Sequence, residues 1–359
     1  MAQDQDVPEA DRLDGAPHPR MASALVGQSA AETAFLDAYR GGRFPHAWIL
    51  GGPEGVGKAT FAYRAARFVL AHPDQRSPDV REARDLATPP GSAVARRVAA
   101  LAHTSLFVVR RQWNLEKKSM PSQIPVDLVR KAVSFFGSTA GEGGWRVCIV
   151  DCAEDLNVQG ANALLKVIEE PPPKSLFLIV SHMPGRLLPT IRSRCRLLGF
   201  RTLRPADIGR AVRSAPMDEG EAPDAALIDR AAALADGSVR GAYKLMDEGL
   251  LAIVEHVRAA LDRLPALDWK DAHAIAEGLA GKANDAAYET AVETIFAWLG
   301  EQTAARAGEG ARRLAPLAEV WDKVARSVRE TDTYNLDRRA LVLTLFSDLS
   351  DALRASRAA

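Results

Sequence analysis

The run Gly52-Pro53-Glu54-Gly55-Val56-Gly57-Lys58-Ala59-Thr60 fits the pattern G-x-x-x-x-G-K. Glycines at that spacing let backbone N–H groups converge on an anion, and the helix that follows adds the partial positive charge of its N-terminus. Lys58 is placed to reach the β- and γ-phosphates of a nucleotide. Ala59 stands where a Ser or Thr hydroxyl would hold Mg²⁺. Thr60 is no direct replacement, because one helical step turns its side chain by about 100°. Downstream, the run Val147–Val150 delivers Asp151, the type and place of a second magnesium carboxylate, and Cys152 follows where a water-orienting Glu would be expected. Losing such a base costs about 10² to 10⁴ in rate. Cys152 itself reads as a small buried residue at a strand end. A nucleotide-type loop is therefore predicted, with hydrolysis in its own site impaired.

Three arginine features stand apart from that loop. Ser193-Arg194-Cys195 lies between a short helical turn and an apolar run. An arginine delivered beside a γ-phosphate is worth about 10³ to 10⁵ in rate. By residue type alone, Arg194 reads first as a surface arginine favoured at a helix C-terminus. Arg240, after Gly237-Ser238, reads first as a solvated helix residue. Arg186, Arg192, Arg196, Arg201 and Arg204 form a basic stretch that could face DNA phosphates, solvent or another subunit.

The elements that must position these groups follow from the apolar pattern. Ala47–Leu50, Leu106–Val109, Arg146–Val150, Leu176–Val180 and Leu197–Phe200 are short continuous apolar runs. Such runs suit parallel strands covered on both faces. Helical patterns span Thr60–Leu70 and Ala161–Glu170, the second stopped by Pro171-Pro172-Pro173. Alternating strands and helices predict an α/β domain with a five-stranded parallel sheet over residues 21–201. Two short helices, Ala225–Ala235 and Val239–Asp247, are divided by Asp236-Gly237 and make a lid over 202–247. Longer amphipathic patterns at Leu251–Leu264, Ala286–Ala304, Leu317–Val328 and Leu336–Leu353 make 248–359 all-α. Residues 1–20, acidic and polar, read as a disordered tail. Pro73 to about Ala95 reads as an irregular insertion.

Composition narrows the function classes. The chain has 359 residues, 47% hydrophobic and 26% charged, and its 46 basic residues balance 46 acidic ones. A neutral chain is not a general DNA-coating protein, so any nucleic-acid contact is local. No apolar run reaches the ~20 residues of a membrane span. Cys148, Cys152 and Cys195 form no C-x-x-C pair and cannot supply the four ligands of a zinc site. Reduced thiols in a cytoplasmic protein are the expectation.

Taken together, several motifs resemble bacterial clamp-loader subunits of the AAA+ class. They are Arg43-Phe44-Pro45-His46-Ala47-Trp48, the loop Gly52–Thr60, Asn162-Ala163-Leu164-Leu165-Lys166, Glu169-Glu170-Pro171-Pro172 and Leu188-Pro189-Thr190-Ile191-Arg192-Ser193-Arg194-Cys195. The resemblance runs from about Leu25 to Arg240, with weaker support at Asn335-Leu336-Asp337-Arg338. It implies an AAA+ P-loop domain, a helical lid and a C-terminal helical collar. Within the family the chain is similar to the stator type, whose ATP site is degraded and whose Ser-Arg-Cys motif is intact. The tau/gamma motor type would carry Ser or Thr after Lys58 and an Asp-Glu pair at 151–152.

The resemblance also implies roles and partners. The partners are tau/gamma subunits and a delta subunit in a five-membered ring, acting on a sliding clamp and primed DNA in replication, with no membrane. Arg194 would act in trans on a neighbour's ATP. Gly52, Gly55, Gly57, Lys58, Ala59, Thr60, Asp151 and Arg240 would form the chain's own degenerate nucleotide site, with Arg240 as the lid (sensor 2) arginine and Ser181 near sensor 1. ATP or ADP would be at most weakly or structurally bound. Many relatives carry a four-cysteine zinc module after the loop helix; residues 73–103 contain no cysteine, so no metal is expected. Two rivals remain: an active tau/gamma-type ATPase, against which Ala59 and Cys152 stand, and a DNA-binding module, against which the neutral charge stands.

Overall fold

The five apolar runs become strands of one sheet, the inner three (47–51, 146–150 and 175–181) almost wholly buried and the last, at an edge, mostly exposed. In the computed structural model, which describes residues 7–13, 15–137, 144–215, 224–281 and 284–358, they are β1 (Ala47–Gly51), β2 (Leu106–Val109), β3 (Arg146–Val150), β4 (Ser175–Ser181) and β5 (Arg196–Gly199). All pair in parallel in the order β2-β3-β4-β1-β5. Register runs from Ala47 opposite Phe177 to Gly51 opposite Ser181. Successive side chains point to opposite faces. Trp48, Leu50, Val147, Ile149, Leu178 and Val180 enter one core layer, and Ala47, Ile49, Cys148, Val150, Phe177 and Ile179 the other.

Helices α1 (Ser29–Arg40), α2 (Lys58–Ala71), α3 (Pro78–Glu82) and α4 (Ala93–Ala99) contribute Phe35, Tyr39, Phe61, Phe68, Val80 and Val98 to the first layer. The Phe35 and Trp48 rings lie 5.2 Å apart. Truncating an aromatic in such a layer costs about 3–5 kcal/mol. The interval after residue 73, expected to be irregular, thus folds as two short helices anchored by Val80, Leu86 and Val98. α5 (Val126–Gly137) and α6 (Val158–Glu169) cover the second layer through Val129, Phe136, Leu164 and Ile168. α6 starts earlier than its apolar pattern. Asn157 caps it by accepting from Gly160 N at 2.8 Å, and the prolines end it at Glu170.

This strand order sets the site. β1 lies between β4 and β5, and β3 lies beside β4, so the carboxyl ends of β1, β3 and β4 are neighbours. The phosphate loop, Asp151 and Ser181 leave those ends. Ligands of open α/β sheets bind there, where the strand order reverses.

The N-terminal segment corrects the expectation of a disordered tail over 1–20. Asp11 and His18 are buried. Arg20 donates both guanidinium branches to Glu9, at 2.6 and 2.9 Å, and its Nε to Ala99 O at 2.8 Å. From α2, Tyr63 Oη donates to Asp11 at 3.0 Å, while Arg67 donates to the carbonyls of Arg20 and Ala22 at 3.0 and 2.5 Å. Arg110 pairs with both Glu9 and Asp11. Two of the acids that suggested a solvated tail, Glu9 and Asp11, are met by Arg20 from the segment itself and by Arg110 from beyond it. The first six residues and Asp14 lie outside the described residues.

α7 (Pro189–Arg192) precedes β5, and after β5 come α8 (Pro205–Ser214), α9 (Ala225–Leu234) and α10 (Val239–Lys244). α8 adds a helix to the two expected; Ile208 and Val212 are too few apolar positions to show its period. Asp236 and Gly237 both take positive φ (49° and 79°), making the predicted break before α10.

The chain divides into compact units Met1–Lys244 and Leu245–Ala359. The second is helical: α11 (Glu248–Asp262), α12 (Trp269–Gly278), α13 (Asp285–Ala305), α14 (Ala311–Tyr334) and α15 (Arg338–Ala358). Leu261, Ile275, Tyr288, Trp298, Val324 and Phe346 meet in its core. α12 fills an interval for which the apolar pattern gave no element. Among the described residues, no helix is long and apolar enough to cross a membrane.

Candidate functional site

The phosphate loop folds as its glycines dictate. Gly57, at φ 97°, caps α2 in the left-handed region, so Lys58 is the first helical residue. At Gly55 (φ 74°) a Cβ would collide with Ser238 Oγ and lie 2.7 Å from Arg240 Cβ. Glycine there admits the lid: Val239 N donates to Gly55 O at 2.9 Å, and Arg240 Nε lies 3.1 Å from Glu54 Oε1. Lys58 is buried and donates from Nζ to Gly52 O at 2.6 Å and to Pro53 O. Burial pushes its amine down to about 8; Glu54 is the strongest of the charges that oppose this.

Asp151 is buried behind the loop. Burial first, and then the charge of Asp11, raise its carboxyl to about 7, against the pull of Arg110 and Lys58. Cys152 takes φ 20° and turns the chain sharply. Burial pushes its thiol well up, with Asp155 and Glu154 adding to the effect, so it is a neutral thiol and no substitute for a carboxylate. Burial likewise holds Cys148 and Cys195 at about 12.

The turn at Cys152 brings in Glu154, which the sequence pattern did not single out. Its Oε1 accepts from Ser181 Oγ at 2.5 Å and Met183 N at 2.7 Å, and Cys152 Sγ lies 3.2 Å from Oε2. Burial alone would raise this carboxyl, but these donors lower it. Ser181, predicted near sensor 1, is thus committed to Glu154. His182 rather than Ser181 lines the cavity; its Nδ1 is buried and has no hydrogen-bond partner among the described residues. Burial and nearby Lys58 lower its pKa.

A cavity of about 190 Å³ joins the loop to its surroundings. Its floor is Glu54–Thr60 with Asp151, one wall is the N-terminal strap from Ala10 to Val26, and the other is the lid through Ala211, Val239, Arg240 and Tyr243. The predicted group Gly55, Gly57, Lys58, Ala59, Thr60, Asp151 and Arg240 meets there; Gly52, Ser181 and Arg194 do not line it. The space and the loop suit a nucleotide. The donors fit a magnesium complex poorly, because Ala59 offers no oxygen and Asp151 is drawn toward its neutral form.

Glu9, Asp11 and His18 also bring their ligand atoms within 4.8 Å of one another. Arg20 and Arg110 already neutralise the two carboxylates. Burial alone would raise both acids, yet Arg20 and Arg110 hold Glu9 at about 2, and the His18 hydrogen bond with Arg110 and Tyr63 holds Asp11 at about 2. The cluster is an ion-pair latch.

Arg194 follows α7, with its backbone N–H bonded to Ile191 O at 3.1 Å. Its guanidinium lies 2.9 Å from Glu169 Oε1 at the end of α6 and donates to Thr190 O at 3.2 Å. The side chain is 41% exposed, so another molecule can reach it. Arg196 is differently used, lying 5.0 Å over the Trp48 ring, and Arg204 pairs with Asp207 at 3.0 Å.

Residues 27–204 match the family described as DNA polymerase III, delta subunit. The chain is similar to the DNA polymerase III subunit delta' of Pseudomonas aeruginosa, 38% identical over 150 residues that make up 42% of this chain and 41% of that protein. It is also similar to the DNA polymerase III subunit gamma/tau of Mycobacterium bovis, at 29% over 234 residues, 64% of this chain and 37% of that protein. The matches thus span about two-fifths of these relatives. Among solved structures, a DNA polymerase III gamma subunit-related protein of Thermotoga maritima aligns with 91% of this chain and 99% of its own, at 17% identity and a TM-score of 0.35.

Proposed function

From the match of residues 27–204 to the DNA polymerase III delta-subunit family, we propose that the chain is a delta-prime-type, or stator, subunit of a clamp loader. It would sit in a ring with tau/gamma and delta subunits that places a sliding clamp on primed DNA. Its own nucleotide site would be silent, and Arg194 would serve the site of a neighbouring tau/gamma subunit.

One observation carries this reading: the cavity that holds the phosphate loop and the arginine that could act on a phosphate are separate. The cavity has Lys58 but lacks a hydroxyl at Ala59 and a carboxylate at Cys152. Arg194 lies outside it, half-exposed, with its guanidinium steadied by Glu169. In the neighbour's site, that guanidinium would neutralise charge building on the γ-phosphate oxygens while the neighbour supplies magnesium and the attacking water. Glu169 would keep the arginine extended until a phosphate replaces it.

Two observations favour a motor subunit: the similarity to gamma/tau subunits over 64% of the chain, and Glu154, which puts a carboxylate near the end of β4. Its three donors make it a poor base. ATP hydrolysis separates the two readings, measured for this chain alone and for the chain reconstituted with tau/gamma, delta, clamp and primed DNA. A chain silent alone but required by the assembled ring supports the stator. Turnover by the chain alone, abolished by Lys58→Ala, makes it a motor.

A further inference from the structure

The phosphate loop carries its own anion. Glu54 Oε1 lies 3.1 Å from Arg240 Nε. Glu54 is also the foremost charge stabilising protonated Lys58, and it acts in the same sense on His182. Lys58, Arg240 and His182 are basic groups lining the cavity, and one carboxylate serves all three. Lid and loop are meanwhile in direct contact, through the Val239 N–H to Gly55 O bond and the packing of Ser238 and Arg240 over Gly55. Arg240 therefore finds its counter-charge within the chain and needs no phosphate to dock.

We propose that Glu54 is a specificity-determining residue which occupies the electrostatic place of a phosphate and turns the cavity against nucleoside di- and triphosphates. A polyphosphate entering the loop must part Glu54 from Arg240 or lie beside its charge. Ala59 gives no hydroxyl through which a metal could screen the repulsion. Adenosine, with no charge, meets none of this. The inference rests on the reading of a degenerate site, but its test uses a different readout. Glu54 is 60% exposed, and glutamine keeps its shape, so Glu54→Gln leaves the fold intact.

The experiment is calorimetric titration of the full chain, wild type and Glu54→Gln, with adenosine, ADP and ATP at low salt. The variant is expected to bind ADP and ATP about tenfold more tightly than wild type, the scale set by removing one nearby like charge. Adenosine affinity should not change, and Glu54→Gln/Lys58→Met should lose the gain. Affinities for ATP within about twofold of each other, or no measurable binding by either protein, overturn the proposal. An equal gain for adenosine overturns it too, by tracing the effect to packing. ATP turnover by the wild-type chain alone would instead strike the degenerate-site reading and leave the affinity comparison standing.

Discussion

Glu154 holds Ser181: Oε1 accepts the serine hydroxyl at 2.5 Å and the Met183 N–H at 2.7 Å, two residues beyond the turn at Cys152. The bond joins the end of β4 to the segment after β3 and closes off the hydroxyl that a sensing residue would offer a γ-phosphate. On the proposed reading of a silent site, three features would set it apart from a working one. Two are residue types, at Ala59 and Cys152, and the third is this bond.

Restoring the two residue types is therefore not enough. Ala59→Thr with Cys152→Glu should leave ATP turnover by the isolated chain slow, with Ser181 still committed to Glu154. Adding Glu154→Ala to that pair should raise turnover by about tenfold or more, the low end of what a positioned polar group supplies. Steady-state hydrolysis by the two variants decides it. Equal rates would mean that the Ser181 hydroxyl is irrelevant to the block.

Arg194→Ala should leave the chain folded, because an exposed ion pair such as Arg194–Glu169 contributes only about 0–1 kcal/mol. In the assembled ring the adjacent ATP site should slow by about 10³ or more. Arg194→Lys should recover little, since an ammonium lacks the forked donors. Assembly by size exclusion and ATPase with clamp and primed DNA are the readouts. Normal ATPase in a ring containing Arg194→Ala removes the in-trans role.

Breaking the N-terminal latch should be far more costly. Arg110→Ala leaves Glu9 and buried Asp11 short of a partner, and removing one member of a buried pair costs about 3–5 kcal/mol. Tyr63→Phe, which removes one hydrogen bond to Asp11, should cost about 1 kcal/mol. Chemical denaturation of the three proteins measures both. A near-neutral Arg110→Ala would mean that the latch is open in solution.

Acid should open the same latch. Glu9 and Asp11 are held near 2 in the folded chain against ordinary values of 4.5 and 3.8. Between those limits the unfolded chain binds more protons, so the stabilisation is whole above about pH 5 and is lost as pH falls toward 2. Melting temperature followed from pH 7 to pH 3 should fall less steeply for Glu9→Gln/Asp11→Asn than for wild type. Parallel curves would show that other carboxylates carry the acid response.

Much of this was readable from the sequence, for physical reasons that also mark its limits. β1, β3 and β4 were legible because a strand buried on both faces is apolar almost throughout, as Trp48-Ile49-Leu50 and Leu178-Ile179-Val180 show, whereas the edge strand β5, with Leu197 60% exposed, showed only as a short apolar run. The loop was legible because glycine spacing encodes backbone shape. Glu154 was not: its place beside Ser181 depends on how the chain turns at Cys152, and no residue type announces that turn. Nor was the latch, because Asp11 meets Tyr63 and Arg110 from distant segments, and local composition describes only the acid half.

The latch also bears on the order in which the chain takes shape during synthesis. Arg110 follows Asp11 by 99 residues. At about 5–20 residues per second the ribosome takes roughly 5–20 s to deliver it. Through that interval the segment can meet Tyr63 and Arg67 of α2 but not Arg110. Its two acids gain that partner only when β2 and the residue just past it have been made. Closure of the latch therefore comes late, and it reports that the far edge of the sheet is already there.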